Sequence, residues 1–210
     1  MKNKVLYFTM LLLLFASCRK PTQEILVSED LKEWFVSNEN RHFVVSDENG
    51  IHQDFQFDDV SSDFIEQSSS FFGIAYEFTQ HEESNQNGNG FFEDSNCLLH
   101  FTAYSEATHV FFEFYGAQFV FNYNDNGDIE SEDGLKCSDG YDYLLYGYTI
   151  ERLDSYEVDG KTYRDVIHIK VVDPDCLIRP TFPTEIYYAK HYGPICYQLA
   201  RQHWLYRVAE

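Results

Sequence analysis

Tyr156-Glu157-Val158-Asp159-Gly160-Lys161-Thr162-Tyr163-Arg164-Asp165-Val166-Ile167-His168-Ile169-Lys170-Val171-Val172 reads as a β-hairpin. Asp159-Gly160 separates two runs rich in β-branched and aromatic residues, and a tight primed turn needs the positive φ that such a pair supplies at both central positions. In the second arm Val166, His168 and Lys170 share one face, and Ile167, Ile169 and Val171 share the other. A connection bearing Cys176 and several prolines then leads to two more strand candidates. Gly193 interrupts the first of these, where it permits a bulge or a close backbone approach, and Pro194 cannot donate a ladder hydrogen bond. The rest of the sheet is expected to align against this region.

Outward from the hairpin the same signals return. Residues 42–46 and 51–57 flank Asp47-Glu48-Asn49-Gly50, and 118–123 and 129–130 flank Asn126-Gly127. Residues 71–80, 98–104, 108–115 and 144–153 alternate or run apolar as strands do. Residues 81–90 and 130–141 are polar or acidic and read as loops. Before them, 29–35 reads as a short helix capped by Ser28 or Asp30, with Leu31, Trp34 and Phe35 on one face; an edge strand is the alternative. With about ten strand candidates the expected fold is all-β. It is a single antiparallel domain over 29–210, a curved sheet or partial barrel, with a β-sandwich as the alternative.

Composition agrees. The 210 residues include 19 Phe, 16 Tyr and 2 Trp, so that aromatics make up 18% of the chain. Such residues suit a pleated surface with a buried face. The net charge is −20. That field repels phosphate backbones, so nucleic acid is not an expected partner.

The N-terminus opens with a basic stretch at Lys2 and Lys4, and 5–15 is apolar apart from Thr9. That run falls short of the ~20 residues that span a bilayer, so it reads as a secretory leader over 1–17. Phe15-Ala16-Ser17-Cys18 resembles the lipobox of bacterial lipoproteins, with Phe15 where Leu is usual. The resemblance implies diacylation of Cys18, cleavage before it, and acylation of the new N-terminus. Residues 18–28 are then the lipid anchor and tether, and several acyl chains give stable attachment to the membrane. Arg19 and Lys20 follow the cysteine, not the Asp of an inner-membrane retention signal or the acidic cluster of a surface-export signal. This implies an outer-membrane lipoprotein facing the periplasm. Without the leader, 13 basic residues stand against 35 acidic ones, a net of −22.

Four cysteines remain: Cys97, Cys137, Cys176 and Cys196. In an oxidising compartment an even number is expected to form disulfides, with Cys97–Cys137 and Cys176–Cys196 as the preferred of three connectivities. Each bridge would contribute about 3 kcal/mol. The spacings match no zinc finger or ribbon.

Asn122-Tyr123-Asn124-Asp125-Asn126-Gly127-Asp128-Ile129-Glu130-Ser131-Glu132-Asp133 is the sharpest metal candidate. It places oxygen donors on Asn122, Asn124, Asn126, Asp128, Glu130 and Asp133 at the spacing of a calcium loop, with Gly127 at the sharp turn. Asn122 replaces the usual Asp and Asp133 the bidentate Glu, and the flanks read as strand and loop rather than helices. The alternative is a hairpin at Asn126-Gly127 with acidic decoration. None of the usual nucleophile-elbow, phosphate-loop, dinucleotide or His-Glu-x-x-His motifs occurs, and no catalytic residue is assigned.

The stretch 159–169 quoted above, followed by Ile186-Tyr187-Tyr188-Ala189-Lys190-His191-Tyr192-Gly193-Pro194-Ile195 and a closing strand at 204–208, resembles the C-terminal signature of small Bacteroidota lipoproteins. The resemblance covers about the last quarter of the chain and implies an antiparallel β domain behind a lipid anchor. The functional expectation is a non-enzymatic envelope protein with a binding or structural role, reaching a protein partner or an apolar ligand. The alternatives are a carrier holding an apolar ligand in an aromatic-lined concavity, and a hydrolase.

Overall fold

The computed structural model describes residues 23–47, 49–50, 52–71, 74–90, 96–104, 107–124, 128–131, 147–172, 182–199 and 204–208, with the backbone alone at 68–71, 74–78, 90, 96 and 131. The strands are β1 (Gln23–Ile25), β2 (His42–Asp47), β3 (His52–Phe57), β4 (Ser61–Phe71), β5 (Ile74–Gly90), β6 (Asn96–Ala103) and β7 (Ala107–Phe114). They continue with β8 (Ala117–Asn124), β9 (Ile129–Ser131), β10 (Tyr148–Val158), β11 (Lys161–Val171), β12 (Pro183–Ala189), β13 (Gly193–Leu199) and β14 (Trp204–Arg207). Among the described residues the one α-helix, α1 (Glu29–Lys32), is capped by the Ser28 hydroxyl, which accepts from the Leu31 N–H at 3.3 Å, and a short 3-10 turn follows at Asn38–Asn40.

All strands belong to one sheet in the order β10-β11-β12-β13-β14-β2-β3-β5-β6-β7-β8-β9, with β1 and β4 paired to β5 off that path. The sheet is antiparallel except where β1 runs parallel to β5. It curls until its two ends approach and it nearly closes into a barrel. At the gap the Tyr148 hydroxyl accepts from the Val120 N–H at 2.8 Å and donates to the Val120 carbonyl, and the Tyr148 ring meets Phe119 edge-on at 5.1 Å. A single curled sheet is the partial barrel expected from the sequence, not the two packed sheets of a sandwich.

The Asp159-Gly160 turn has the expected backbone, with φ of 49° and 75°. Tyr115-Gly116 forms another such turn at 52° and 73°. The first arm of the C-terminal hairpin is longer than its sequence signal: β10 begins at Tyr148 and takes in 148–153 of the separate strand expected at 144–153, of which 144–146 lie outside the described residues. Gly193 does not sit inside a strand. At φ 80° it starts β13 after a turn, and a Cβ there would lie 2.8 Å from Val36 Cγ2.

The largest departure is β5. Residues 81–90, expected as an exposed loop, are strand. They pair with β6 through seven positions, from Glu83 with Thr102 to Asn89 with Asn96. Toward its start β5 runs past the end of β6, and that stretch pairs with β4. β1, which lies within the stretch read as tether, flanks the other edge at Thr79–His81.

Candidate functional site

A barrel interior is where a carrier or an enzyme would place its site, and here the chain's own N-terminal segment occupies it. Val27, Leu31, Trp34, Phe35 and Val36 are buried in one cluster with inward residues of the barrel strands. The segment is fastened by side chains from β5. Alternate residues of a strand face the same way, and on β5 the inward row is Glu82, Ser84, Gln86 and Gly88. The three polar members of that row are all buried.

Glu82 and Gln86 meet groups of the N-terminal segment, while the Ser84 hydroxyl donates to Glu82 Oε1 at 3.2 Å and lies 2.7 Å from the Ser62 hydroxyl. Gln86 Oε1 accepts from the Val36 N–H at 2.7 Å, and Gln86 Nε2 donates to the carbonyls of Val36 and Asp58, both at 3.0 Å. Glu82 Oε2 accepts from the Val27 N–H at 3.0 Å, and Glu82 Oε1 lies 3.0 Å from Lys32 Nζ. Desolvation pulls the Lys32 pKa down, but the bonds to Glu82 and Glu29 outweigh it and leave the ammonium above its ordinary value. Gly88 belongs to the row because a Cβ would come within 2.6 Å of the Phe57 ring.

The opposite flank of the segment is held by β8 and by β12 with the turn that follows it. Tyr188 donates to the Trp34 carbonyl at 3.1 Å, and Tyr123 donates to Asp30 Oδ2 at 2.8 Å. Lys190 Nζ reaches Asp30 Oδ1 at 2.6 Å and Glu33 Oε2 at 3.3 Å, and lies 5.4 Å from the centre of the Trp34 ring. The Lys190 hydrogen bond holds the Asp30 carboxyl below its usual range against a smaller desolvation effect. Burial, followed by the bond to Asp30, pushes Tyr123 up to about 12. Backbone bonds complete the seam: His191 N–H donates to the Glu33 carbonyl at 3.0 Å and Ser37 N–H to the His191 carbonyl at 2.9 Å.

Little space remains between segment and wall. A cavity of about 20 Å³ lies among Leu31, Trp34, Phe101, Phe112, Ile169 and Tyr188. It would take about one water by volume, but its walls offer no polar partners to hold one. Elsewhere the interior is aromatic: Phe55, Phe114, Tyr115 and Tyr197 stack or meet edge-on at 4.8 to 6.4 Å. The hydroxyls of Tyr115 and Tyr197 both donate to Gln53 Oε1, at 2.5 and 3.1 Å. Burial pushes the Tyr115 hydroxyl up to about 12.

A second cluster lies on the outer face of β10 to β14. Glu151, His168, Tyr187, Cys196 and Tyr206 form one row across five strands. The His168 ring sits between two carboxylates, with Nδ1 2.8 Å from Glu151 Oε1 and Nε2 2.9 Å from Glu185 Oε1. Tyr187 stacks on His168 at 4.3 Å, on Tyr156 at 3.9 Å, and donates to Glu185 at 2.9 Å. The polar groups here are spent on one another, as in a cross-strand ladder that stiffens a sheet.

The cysteine expectation is corrected. Cys97 and Cys196 are both free. Cys97 faces the interior and Cys196 the outer cluster, at 1% and 0% exposure, so each packs as a small hydrophobe. Burial raises the Cys97 thiol strongly, and burial together with Glu185 brings Cys196 to about 12. Cys137 and Cys176, the expected partners, lie outside the described residues, as does Cys18.

The calcium candidates lie on the β8–β9 hairpin. Asn122 is paired across the ladder with Glu130, and Asn124 Oδ1 accepts from the Asp128 N–H at 2.9 Å. Strands flank the turn where a calcium-binding helix pair would have helices. Asn126 and Asp133 lie outside the described residues. Among the described residues no three His, Cys, Asp or Glu side chains converge on a common point.

The Glu82-Ser84-Gln86 row escaped sequence reading, because a run that is polar or glycine at every position reads as an exposed loop and nothing local marks a buried backbone as its partner.

The fold and site together define a single-sheet, nearly closed β-barrel that holds its own N-terminal segment as an internal plug. Comparison with known proteins finds no matching family model, no matching curated protein and no matching solved structure.

Proposed function

We propose that this is a lipid-anchored cell-envelope protein that acts without catalysis, by binding or by structure, through its outer surface. The observation that carries the reading is the filled interior. Ligand pockets measure roughly 300–1,000 Å³, whereas the cavity beside Trp34 is about 20 Å³. A carrier of apolar ligands would have to expel the plug. A hydrolase would need a free acid or base, and His168 is held by Glu151, Glu185 and Tyr187. The leader, the Phe15-Ala16-Ser17-Cys18 motif and the basic pair after it support attachment through Cys18, on an outer membrane and toward the periplasm. The acidic surface favours protein partners over nucleic acid.

The test is mass spectrometry of the full chain expressed in a Gram-negative host and extracted from its membranes. An N-terminal peptide beginning at Cys18 with the mass of its acyl chains is the expected result. A peptide cut elsewhere and free of lipid overturns the anchor. Native spectra are expected to match the denatured mass. An adduct of a few hundred daltons seen only in the native spectrum overturns the non-carrier reading.

A further inference from the structure

We infer that the open edge of β4, from Ser61 to Gln67, is a docking site for an extended basic segment of a partner protein, which joins the sheet as one more strand. The inference rests on the reading that the protein acts by binding through its outer surface, and it names the place and the partner's chemistry.

β4 continues the line of β3 along β5. Phe57 pairs with Gly88, the Asp58 N–H donates to the Asn87 carbonyl at 2.8 Å, and Ser61 pairs with Asn85. β2 covers the far edge of β3 alone, and its pairing stops at His42 with Gln56. Among the described residues no strand takes the far edge of β4. Every residue from Asp58 to Gln67 is exposed.

The backbone of this edge is a template. An antiparallel ladder turns the N–H and C=O of alternate residues to opposite neighbours. Asp63 Oδ1 accepts from the Phe64 N–H at 2.8 Å, which puts that N–H on the open side, and Ser62 and Glu66 share its phase. An extended peptide adds to an edge through such groups. Edges closed to partners carry proline, lysine or a bulge. Residues 61–67 contain no proline and no basic residue, and their register with β5 runs from Ser61 to Ser69 without a shift.

The side chains state what the added strand must carry. Asp58-Asp59-Val60-Ser61-Ser62-Asp63-Phe64-Ile65-Glu66-Gln67 holds four carboxylates and no base. Arg41 pairs with Asp59, and every other Lys or Arg ion pair among the described residues lies elsewhere, so Asp58, Asp63 and Glu66 keep their charge. Phe64 and Ile65 stand between Asp63 and Glu66, 44% and 43% exposed, on opposite faces of the strand. Directly opposed residues of neighbouring strands interact pairwise, and like charges there repel. The complement of acidic-apolar-apolar-acidic is basic-apolar-apolar-basic, which reads the same in either direction. A second copy of this chain does not supply it: its β4 brings the same carboxylates, and each chain carries −20.

The experiment uses the full chain in neutral detergent and the peptide Thr-Lys-Val-Val-Lys-Thr, with Thr-Glu-Val-Val-Glu-Thr and Thr-Lys-Pro-Pro-Lys-Thr as controls for charge and for strand pairing. Ser62→Pro removes an N–H on the open side. Ser62→Ala loses the same contact with the Ser84 hydroxyl but keeps the N–H. The lysine–valine peptide is expected to bind the unaltered protein and Ser62→Ala in calorimetry, and to slow amide exchange at Ser62, Phe64 and Glu66. Its affinity for Ser62→Pro is expected to fall by about tenfold or more, the equivalent of one hydrogen bond. Neither control peptide is expected to bind. Where Ser62→Pro does not fold, the proline peptide makes the same test on the unaltered protein. No binding, equal affinity for Ser62→Pro and Ser62→Ala, equal affinity for the valine and proline peptides, or exchange slowed only away from Ser62, Phe64 and Glu66 overturns the edge site. A dimer of the peptide-free protein that sedimentation shows and Ser62→Pro abolishes gives the edge to a second copy and overturns the basic partner. None of these results touches the lipid at Cys18 or the filled interior, which the mass spectra read separately.

Discussion

Gln86→Leu is the sharpest test of how the plug is held. The side chain is fully buried and binds both backbone groups of Val36, itself 1% exposed. Leucine has a similar volume, so the change removes hydrogen bonds without opening a cavity. Two backbone groups are orphaned in a dry interior, at about 1–3 kcal/mol each, giving about 2–6 kcal/mol in all. The Asp58 carbonyl adds little, because Asp58 is exposed and water can replace the lost donor. The alternative response is expulsion of the plug, which would expose Leu31, Trp34, Phe35 and Val36. At about 1.5–3 kcal/mol per side chain that costs about 6–12 kcal/mol as an upper figure. Expulsion therefore loses to strain in place. Urea denaturation is expected to show a lower midpoint at unchanged slope, and hydrogen exchange to show faster exchange at Val36 while Leu31 and Trp34 still exchange with the barrel. A stability change below about 0.5 kcal/mol, the usual size of a neutral surface substitution, would refute the claim that Gln86 alone satisfies Val36. Selective early exchange throughout 27–36 would refute the ranking of the two responses.

Three further outcomes follow from the same geometry. Gly88→Ala places a methyl 2.6 Å from the packed Phe57 ring and is expected to destabilise by about 1–3 kcal/mol in the same urea assay. Gly160→Ala and Gly193→Ala separate backbone strain from crowding: both glycines have positive φ, but a Cβ at Gly160 meets nothing within 4 Å whereas one at Gly193 meets Val36 at 2.8 Å. Gly160→Ala should cost about 1–2 kcal/mol and Gly193→Ala distinctly more; equal losses would show that Val36 gives way freely. In alkali the native barrel should weaken. Cys196, Tyr115 and Tyr123 all have folded values of about 12, above those of the unfolded chain. Their stabilisation is complete below the unfolded values, about 8.5 for Cys and 10 for Tyr, and is lost as pH rises toward 12. Thermal melting between pH 8 and 11 reads this, and thiol labelling of the native protein at pH 8 should leave Cys97 and Cys196 unmodified until denaturant is added.

The turns show which local signals suffice. Asp159-Gly160 was legible because Asp and Gly are the residues that tolerate its dihedrals. Tyr115-Gly116 makes the same turn, yet a bulky residue at φ 52° announces nothing. What holds Tyr115 there is tertiary: its ring packs against Phe114 at 4.8 Å and its hydroxyl reaches Gln53 and Tyr197. The short helix was legible in part: Ser28 caps it locally, but it stops at Lys32, so of the apolar face expected over 29–35 only Leu31 is helical, and Trp34 and Phe35 are buried in the turn that follows. The cysteines failed as a signal. An even count says nothing of faces, and Cys97 and Cys196 occupy separate clusters on opposite faces of the sheet.

β5 sets the limit of such reading. Its run of Asn, Gln, Glu and Gly lacks every propensity expected of a strand, and its period of two carries polar groups inward. That arrangement is unfavourable in an empty or apolar barrel, because each buried amide or carboxylate without a partner costs free energy. It becomes favourable once another stretch of backbone enters the barrel, because a non-helical segment there brings N–H and C=O groups that no ladder satisfies. Glu82 and Gln86 meet that need at Val27 and Val36, two points that bracket α1. The strand and the plug therefore explain each other: neither polar row nor buried segment is stable without its partner, and they are 50 or more residues apart in the chain. A design that replaced both with apolar residues would have to replace the plug's backbone as well, which no side-chain substitution can do.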